Sequence, residues 1–138
     1  IDVSRRTTII DLMLNLRKDL ELTYLFITHD LAIAKYISDR VAIMYLGKIV
    51  EIGNKQEIFT TPIHPYTRAL LSAIPVPNPE RERKTLELKG EVSSAINIPP
   101  GCRFNPRCPY ATEKCKKNEP DLIETTKGHF VACYQAEA

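Results

Sequence analysis

Residues 23–30 read Thr23-Tyr24-Leu25-Phe26-Ile27-Thr28-His29-Asp30, and the assignment of the whole chain turns on them. Tyr24, Leu25, Phe26 and Ile27 are four bulky apolar residues with no polar alternation. That is the pattern of a strand buried on both faces, as in a parallel sheet covered by helices. The run ends in Thr28, His29 and Asp30, and an apolar helical pattern follows at once. Ligands of open α/β sheets bind at the carboxyl ends of strands. His29 is therefore a candidate functional residue, with simple capping of a strand as the alternative.

Working outward, Ser4 is an N-cap for a helix to about Leu20, with Ile9, Leu12, Met13, Leu16 and Leu20 on one inward stripe. Beyond the strand, Asp30 caps a short helix over 31–37 whose Leu31, Ile33, Ala34 and Ile37 face inward. Residues 40–46 and 48–52 read as two strands reversing at Gly47. Asn54 and Glu57 have capping-box spacing for a helix through Phe59, and Thr61-Pro62 stops it. Pro65 opens another helix over 66–74. His64 precedes it as a cap, and Tyr36, Tyr45 and Tyr66 are assigned to packing.

Ile74-Pro75-Val76-Pro77-Asn78-Pro79 is a stiff extended spacer, and 80–84 is a charge run. The expected division is a regular α/β part over 1–74, a linker over 75–84 and a cysteine-containing tail over 85–138. Residues 86–92 alternate apolar and polar, as a short strand does. All ten prolines lie at or after Pro62. The five from Pro99 to Pro120 predict a tail of loops without long helices or central strands.

Composition sets the outer bounds. The chain of 138 residues is 43% hydrophobic and 26% charged, ordinary for a soluble protein with one modest core. A net charge of +2 is too small to argue for nucleic acid. No apolar run approaches the roughly 18 residues of a membrane span. Ile1-Asp2-Val3-Ser4 lacks an initiator methionine and enters a helix directly, so the chain is expected to be a piece of a longer protein.

Cys102, Cys108, Cys115 and Cys133 are spaced Cys-x5-Cys-x6-Cys-x17-Cys. This is neither the pairing usual for zinc nor the compact ferredoxin run. Without an export signal, disulfides are not expected. Arg103, Arg107, Lys114, Lys116 and Lys117 outnumber Glu113 nearby, which suits thiolates held together. A metal site and free buried thiols both remain open on spacing and charge alone. His129, four residues before Cys133, is assigned to the surface, with a supporting or ligating role as the alternative.

Asp2-Val3-Ser4 before a long helix, then Phe26-Ile27-Thr28-His29-Asp30-Leu31, then the stretch from Asp39 to Gly53 resemble the ABC-transporter ATPase family. His64-Pro65-Tyr66-Thr67-Arg68-Ala69-Leu70-Leu71 and the segment from Gly101 to Ala111 are similar to the ATPases of oligopeptide/dipeptide importers. The resemblance covers essentially the whole chain, beginning at the family's D-loop.

It implies an α/β fold: the C-terminal part of a P-loop ATPase domain followed by a small loop-rich tail. Asp2 falls on the D-loop aspartate, a contact between two ATPase subunits. His29 falls on the switch histidine, which reaches the γ-phosphate and helps position water; phosphoryl transfer needs such positioning more than covalent help. The four cysteines fall where the subfamily suggests a [4Fe–4S] cluster, with zinc as the alternative, in a structural role. No Gly-x-x-x-x-Gly-Lys-Ser/Thr loop occurs in the sequence. ATP and Mg²⁺ are therefore expected only in a longer parent, and the chain alone should be inactive. Expected partners are a homologous second ATPase subunit and membrane permease subunits on the cytoplasmic face, with the peptide contacted indirectly. A second class, an independent iron–sulfur or zinc module with a redox or structural role, would need none of residues 1–53.

Overall fold

The computed structural model describes residues 3–74, 88, 90 and 96–137. Asp2, the linker and, except for Leu88 and Gly90, the expected strand over 86–92 lie outside the described residues. The chain forms two compact units, Ile1–Ser38 and Asp39–Ala138.

The first unit is two helices, α1 (Val3–Asp19) and α2 (Leu31–Ile37). Ser4 lies inside α1 rather than at its cap. The helix ends where Glu21 turns left-handed (φ 52°) and the Leu22 N–H reaches back to the Arg17 carbonyl at 3.0 Å. That six-to-one closure satisfies a carbonyl the last turn would otherwise leave open. The inward face of α1 is rotated from the expected stripe: Ile10 is buried, while Ile9, Leu12, Leu16 and Leu20 are exposed. Helix α2 is tied to α1 by Tyr36 Oη donating to Asp11 Oδ1 at 2.9 Å and by Arg17 Nη1 donating to the Ile37 carbonyl at 3.5 Å. Tyr36 is thus an exposed polar tether and not a packed ring.

The second unit holds a four-stranded antiparallel sheet in the order β1-β2-β4-β3. Its strands are β1 (Arg40–Tyr45), β2 (Lys48–Asn54), β3 (Ile123–Thr126) and β4 (His129–Val131). Leu46 (φ 45°) and Gly47 (φ 77°) make the two-residue reversal joining β1 to β2, and such short links allow only antiparallel pairing. Strand β1 alternates cleanly, burying Val41, Ile43 and Tyr45. In β2 the alternation breaks. Ile43 pairs with Glu51 but Met44 pairs with Ile49, so Val50 is a bulge residue. Its carbonyl accepts from Ala132 N–H at 2.9 Å, and Val50 and Glu51 are both buried in succession.

Helices α3 (Lys55–Thr60), α4 (Pro65–Ser72) and α5 (Glu113–Lys117) complete the unit with a 3₁₀ turn at Tyr134–Glu137. Asn54 Oδ1 caps α3 by accepting from Gln56 N–H at 3.0 Å, and Ile58 anchors that helix in the core. The tail is not loops alone. Residues 121–131 contain no proline, and there the chain supplies a hairpin whose β4 lies between β2 and β3. Arg103 and Glu119 brace the opposite end of β2: Arg103 Nη1 donates to the Leu46 carbonyl, and Glu119 pairs with Lys48 (3.1 Å) and Arg103 (3.2 Å). Although partial burial opposes it, these two cations hold the Glu119 carboxyl below the usual carboxylate range.

Candidate functional site

In the first unit, the expected buried strand over 24–28 belongs to no strand or helix. Leu25 is 93% exposed and Ile27 89%. Four apolar residues in a row specify burial only where neighbouring strands exist to cover them, and among the described residues none does. His29 is exposed at the end of this segment. Its backbone is nonetheless well placed. Thr28 Oγ1 accepts from Asp30 N–H at 3.0 Å, and Asp30 Oδ1 caps α2 by accepting from Ala32 and Ile33 N–H at 2.9 and 3.2 Å. His29 is therefore presented to solvent just before α2, between the hydrogen-bonded Thr28 and Asp30.

In the second unit Glu51, a charged residue on β2, is fully inaccessible. Its Oε1 accepts from Ile63 N–H at 2.8 Å and its Oε2 from His64 N–H at 3.1 Å. His129 on β4, 2% exposed, places Nε2 2.8 Å from Glu51 Oε1. One carboxylate thus joins the sheet, the turn that starts α4 and the tail hairpin. Gly53 makes room for it, since a Cβ there would stand 3.1 Å from the His129 ring. A buried carboxylate is tolerable only when hydrogen-bonded like this. Neither partner reaches solvent, so the arrangement secures structure and does not turn over substrate.

His64, 1% exposed, caps α4 with Nδ1 accepting from Tyr66 N–H at 3.0 Å. Burial drives its pKa down to about 4, keeping the ring neutral and the accepting nitrogen free. Beside it, Tyr45, Tyr66 and Phe104 form an aromatic cluster with centroids 4.7–5.4 Å apart. Burial first and the neighbouring Tyr45 second raise the Tyr66 pKa, with Arg107 opposing. Tyr45 and Tyr66 are packing residues, as expected.

The cysteines require a correction. All four are free thiols, and the Cys102 N–H bonds the Cys115 carbonyl at 2.8 Å. Among the described residues, however, no group of three or more His, Cys, Asp or Glu side chains is arranged to hold a metal ion. Burial pushes the thiols of Cys102 and Cys133 up and that of Cys108 to about 11, and neighbouring thiols add to each shift. The cation excess read from the sequence does not outweigh desolvation, since Lys116 pairs with Glu113 (2.6 Å) and Arg103 with Glu119. The expected [4Fe–4S] cluster and its zinc alternative on Cys102, Cys108, Cys115 and Cys133 are accordingly withdrawn.

His129 is also corrected, from a surface residue to a buried one. The Glu51–His129 pair escaped the sequence because its members are 78 residues apart. The available signal was a Glu set among apolar residues, Ile49-Val50-Glu51-Ile52. A recess lined by Val50, Cys102, Phe104 and Ala132 measures about 10 Å³, room for a single water and not for a nucleotide.

Residues 50–115 match the family model described as the oligopeptide/dipeptide transporter C-terminal region. The chain is 47% identical to the dipeptide transport ATP-binding protein DppF of Haemophilus influenzae, over 99% of this chain and 42% of that protein. It is likewise 47% identical to the oligopeptide transport ATP-binding protein AppF of Bacillus subtilis, over 97% of this chain and 41% of that one. The chain spans about two fifths of the length of these relatives. Residues 50–115 are thus the C-terminal region of the oligopeptide/dipeptide transporter family, and over nearly its whole length the chain is related to the ATP-binding proteins of such transporters.

Proposed function

We propose that this chain is the C-terminal part of the ATP-hydrolysing subunit of a peptide importer, with His29 as its switch histidine and Asp2 as its D-loop aspartate. The observation that carries this is identity of 47% running over 99% of the chain, well outside the matched tail region. An independent C-terminal module would need none of residues 1–49. In this reading residues 1–74 belong to the nucleotide-binding domain, 75–84 are a linker and 85–138 the tail. The subunit pairs with a second ATPase subunit and docks on permease subunits at the cytoplasmic face of the membrane. ATP and Mg²⁺ are bound by the longer subunit, because the phosphate-cradling loop is not in this sequence. The exposed imidazole of His29, between the hydrogen-bonded Thr28 and Asp30, offers a hydrogen bond to a γ-phosphate or its attacking water.

The test is a chimera in which this chain replaces the matching portion of the Haemophilus influenzae relative. The chimera should hydrolyse ATP with Mg²⁺, and His29→Ala should leave ATP binding intact while lowering turnover at least about a hundredfold. The 138-residue chain alone should show no hydrolysis. Unchanged turnover in the His29→Ala chimera, or robust hydrolysis by the chain alone, would overturn the assignment.

A further inference from the structure

The second unit carries four free thiols, and ATP hydrolysis as read above uses none of them. Main-chain contact singles out two. The Cys102 N–H donates to the Cys115 carbonyl at 2.8 Å. Next to it, Gly101 (φ 73°) lies so near that a Cβ there would stand 2.3 Å from the Cys115 carbonyl oxygen and 2.7 Å from the Lys116 carbonyl carbon. A main-chain bond of this kind sets two α-carbons about 5.5 Å apart, inside the range that a disulfide spans. Among the described residues no such bond joins any other two of the four cysteines. The thiols themselves are near one another: burial first raises the Cys102 pKa, and the neighbouring Cys115 and Cys133 thiols add to it.

Both sides are held before any bond forms. Asn105 Nδ2 donates to the Pro100 and Cys102 carbonyls at 2.9 and 2.8 Å, which fixes the loop carrying Cys102. Cys115 is buried on α5, with Thr112 Oγ1 3.3 Å from its Sγ. A hydroxyl at that distance can donate to the sulfur as it gives up its proton. All of these contacts lie between residues 100 and 116 and owe nothing to the surface of the first unit.

We propose that Cys102 and Cys115 are a site of oxidative modification, joining in a reversible disulfide under a peroxide oxidant. Hydrogen peroxide oxidises the half-buried Cys102 thiol to a sulfenic acid, its O–O bond breaking and one water leaving. The Cys115 sulfur then attacks the Cys102 sulfur, the S–O bond breaks, and the departing hydroxyl leaves with the Cys115 proton as a second water. Two thiols lose two hydrogens and two electrons, and one peroxide becomes two waters. A thiol reduces the bond again by exchange. The cross-link ties the loop at 101–108 to α5 and constrains the unfolded chain, so oxidation staples the tail. This site does not rest on the proposed function.

The experiment treats the reduced 138-residue chain with hydrogen peroxide, blocks remaining thiols with iodoacetamide under denaturing conditions, and maps the peptides. One intramolecular link between the Cys102 and Cys115 peptides is expected, lost on treatment with dithiothreitol. The thermal midpoint of the oxidised chain should rise by about 10 °C or more. Cys102→Ser should abolish both the link and the rise, whereas Cys108→Ser and Cys133→Ser should keep them. In Cys115→Ser the reaction should stop at a Cys102 sulfenic acid that dimedone traps. The same map on the chimera, where this chain follows the preceding residues of the relative, should give the same link. Absence of any intramolecular link under excess peroxide, or a link through another pair of cysteines, would overturn the assignment. An unchanged midpoint in the cross-linked chain would overturn the stapling role.

Discussion

Replacing Glu51 with Ala removes one side chain and strands three donors: Ile63 N–H, His64 N–H and His129 Nε2. Hydrogen bonds to an ionised acceptor contribute about 1.5–3 kcal/mol each. The simple sum is an upper bound, because the half-buried Ile63 N–H can recover a water and the three effects share one cavity. A loss of about 4 kcal/mol follows, set against roughly 5–15 kcal/mol for the whole stability of a domain. For a unit of this size each kcal/mol moves the melting temperature by about 4–8 °C, so the midpoint should fall by roughly 15–30 °C. Glu51→Gln keeps the shape and one acceptor oxygen, and should lose about half as much. Urea and thermal unfolding followed by circular dichroism measure both. His129→Ala should cost about 2 kcal/mol, and the double variant Glu51→Ala/His129→Ala should cost clearly less than the two singles added. A Glu51→Ala protein melting within about 3 °C of the parent would refute the view that this carboxylate joins sheet, turn and tail.

Three further outcomes are expected. His64 has its pKa lowered to about 4 by burial, so its contribution is complete above the unfolded value of about 6.5 and is lost as pH falls toward 4. That loss is about 3 kcal/mol; His64→Asn, which keeps a capping oxygen and does not titrate, should show a flatter urea midpoint between pH 7 and 4, and equal slopes would count against it. Gly101 has φ 73°, and a Cβ there would sit 2.3 Å from the Cys115 carbonyl oxygen, so Gly101→Ala should destabilise the second unit by about 3 kcal/mol or more in the same assay. Cys108 should alkylate with iodoacetamide far more slowly than free cysteine at pH 8 and accelerate toward pH 11, as peptide mapping can follow; rapid labelling at pH 7 would contradict the raised pKa of this half-buried thiol.

Local features were legible in the amino-acid order because neighbours along the chain cause them. Asp30, Asn54 and His64 each sit just before a helix and accept from its first free N–H groups, as their positions promised. Leu46-Gly47 reverses the chain between two strands because Gly tolerates the positive φ of a tight turn. Family membership was legible too, in motifs that keep their order and spacing, and the matches to the peptide-transport proteins bear it out.

What only the tertiary structure decided depends on partners distant in sequence. The bulge at Val50 turns Glu51 inward, and the return of the tail as β4 brings His129 to it, so two polar residues read as surface or strand became a buried hydrogen-bonded pair. Proline density over 99–120 correctly limits regular structure there but carries no information about 121–131, where the hairpin forms. The metal expectation came from the family resemblance, spacing and charge having left free thiols equally open; how the four cysteines stand to one another is a tertiary matter, and among the described residues they form no metal-holding group. The run Tyr24-Leu25-Phe26-Ile27 shows the same limit from the other side. An apolar pattern states what a segment would gain by burial, but whether it is buried depends on which strands stand beside it, and among the described residues none does.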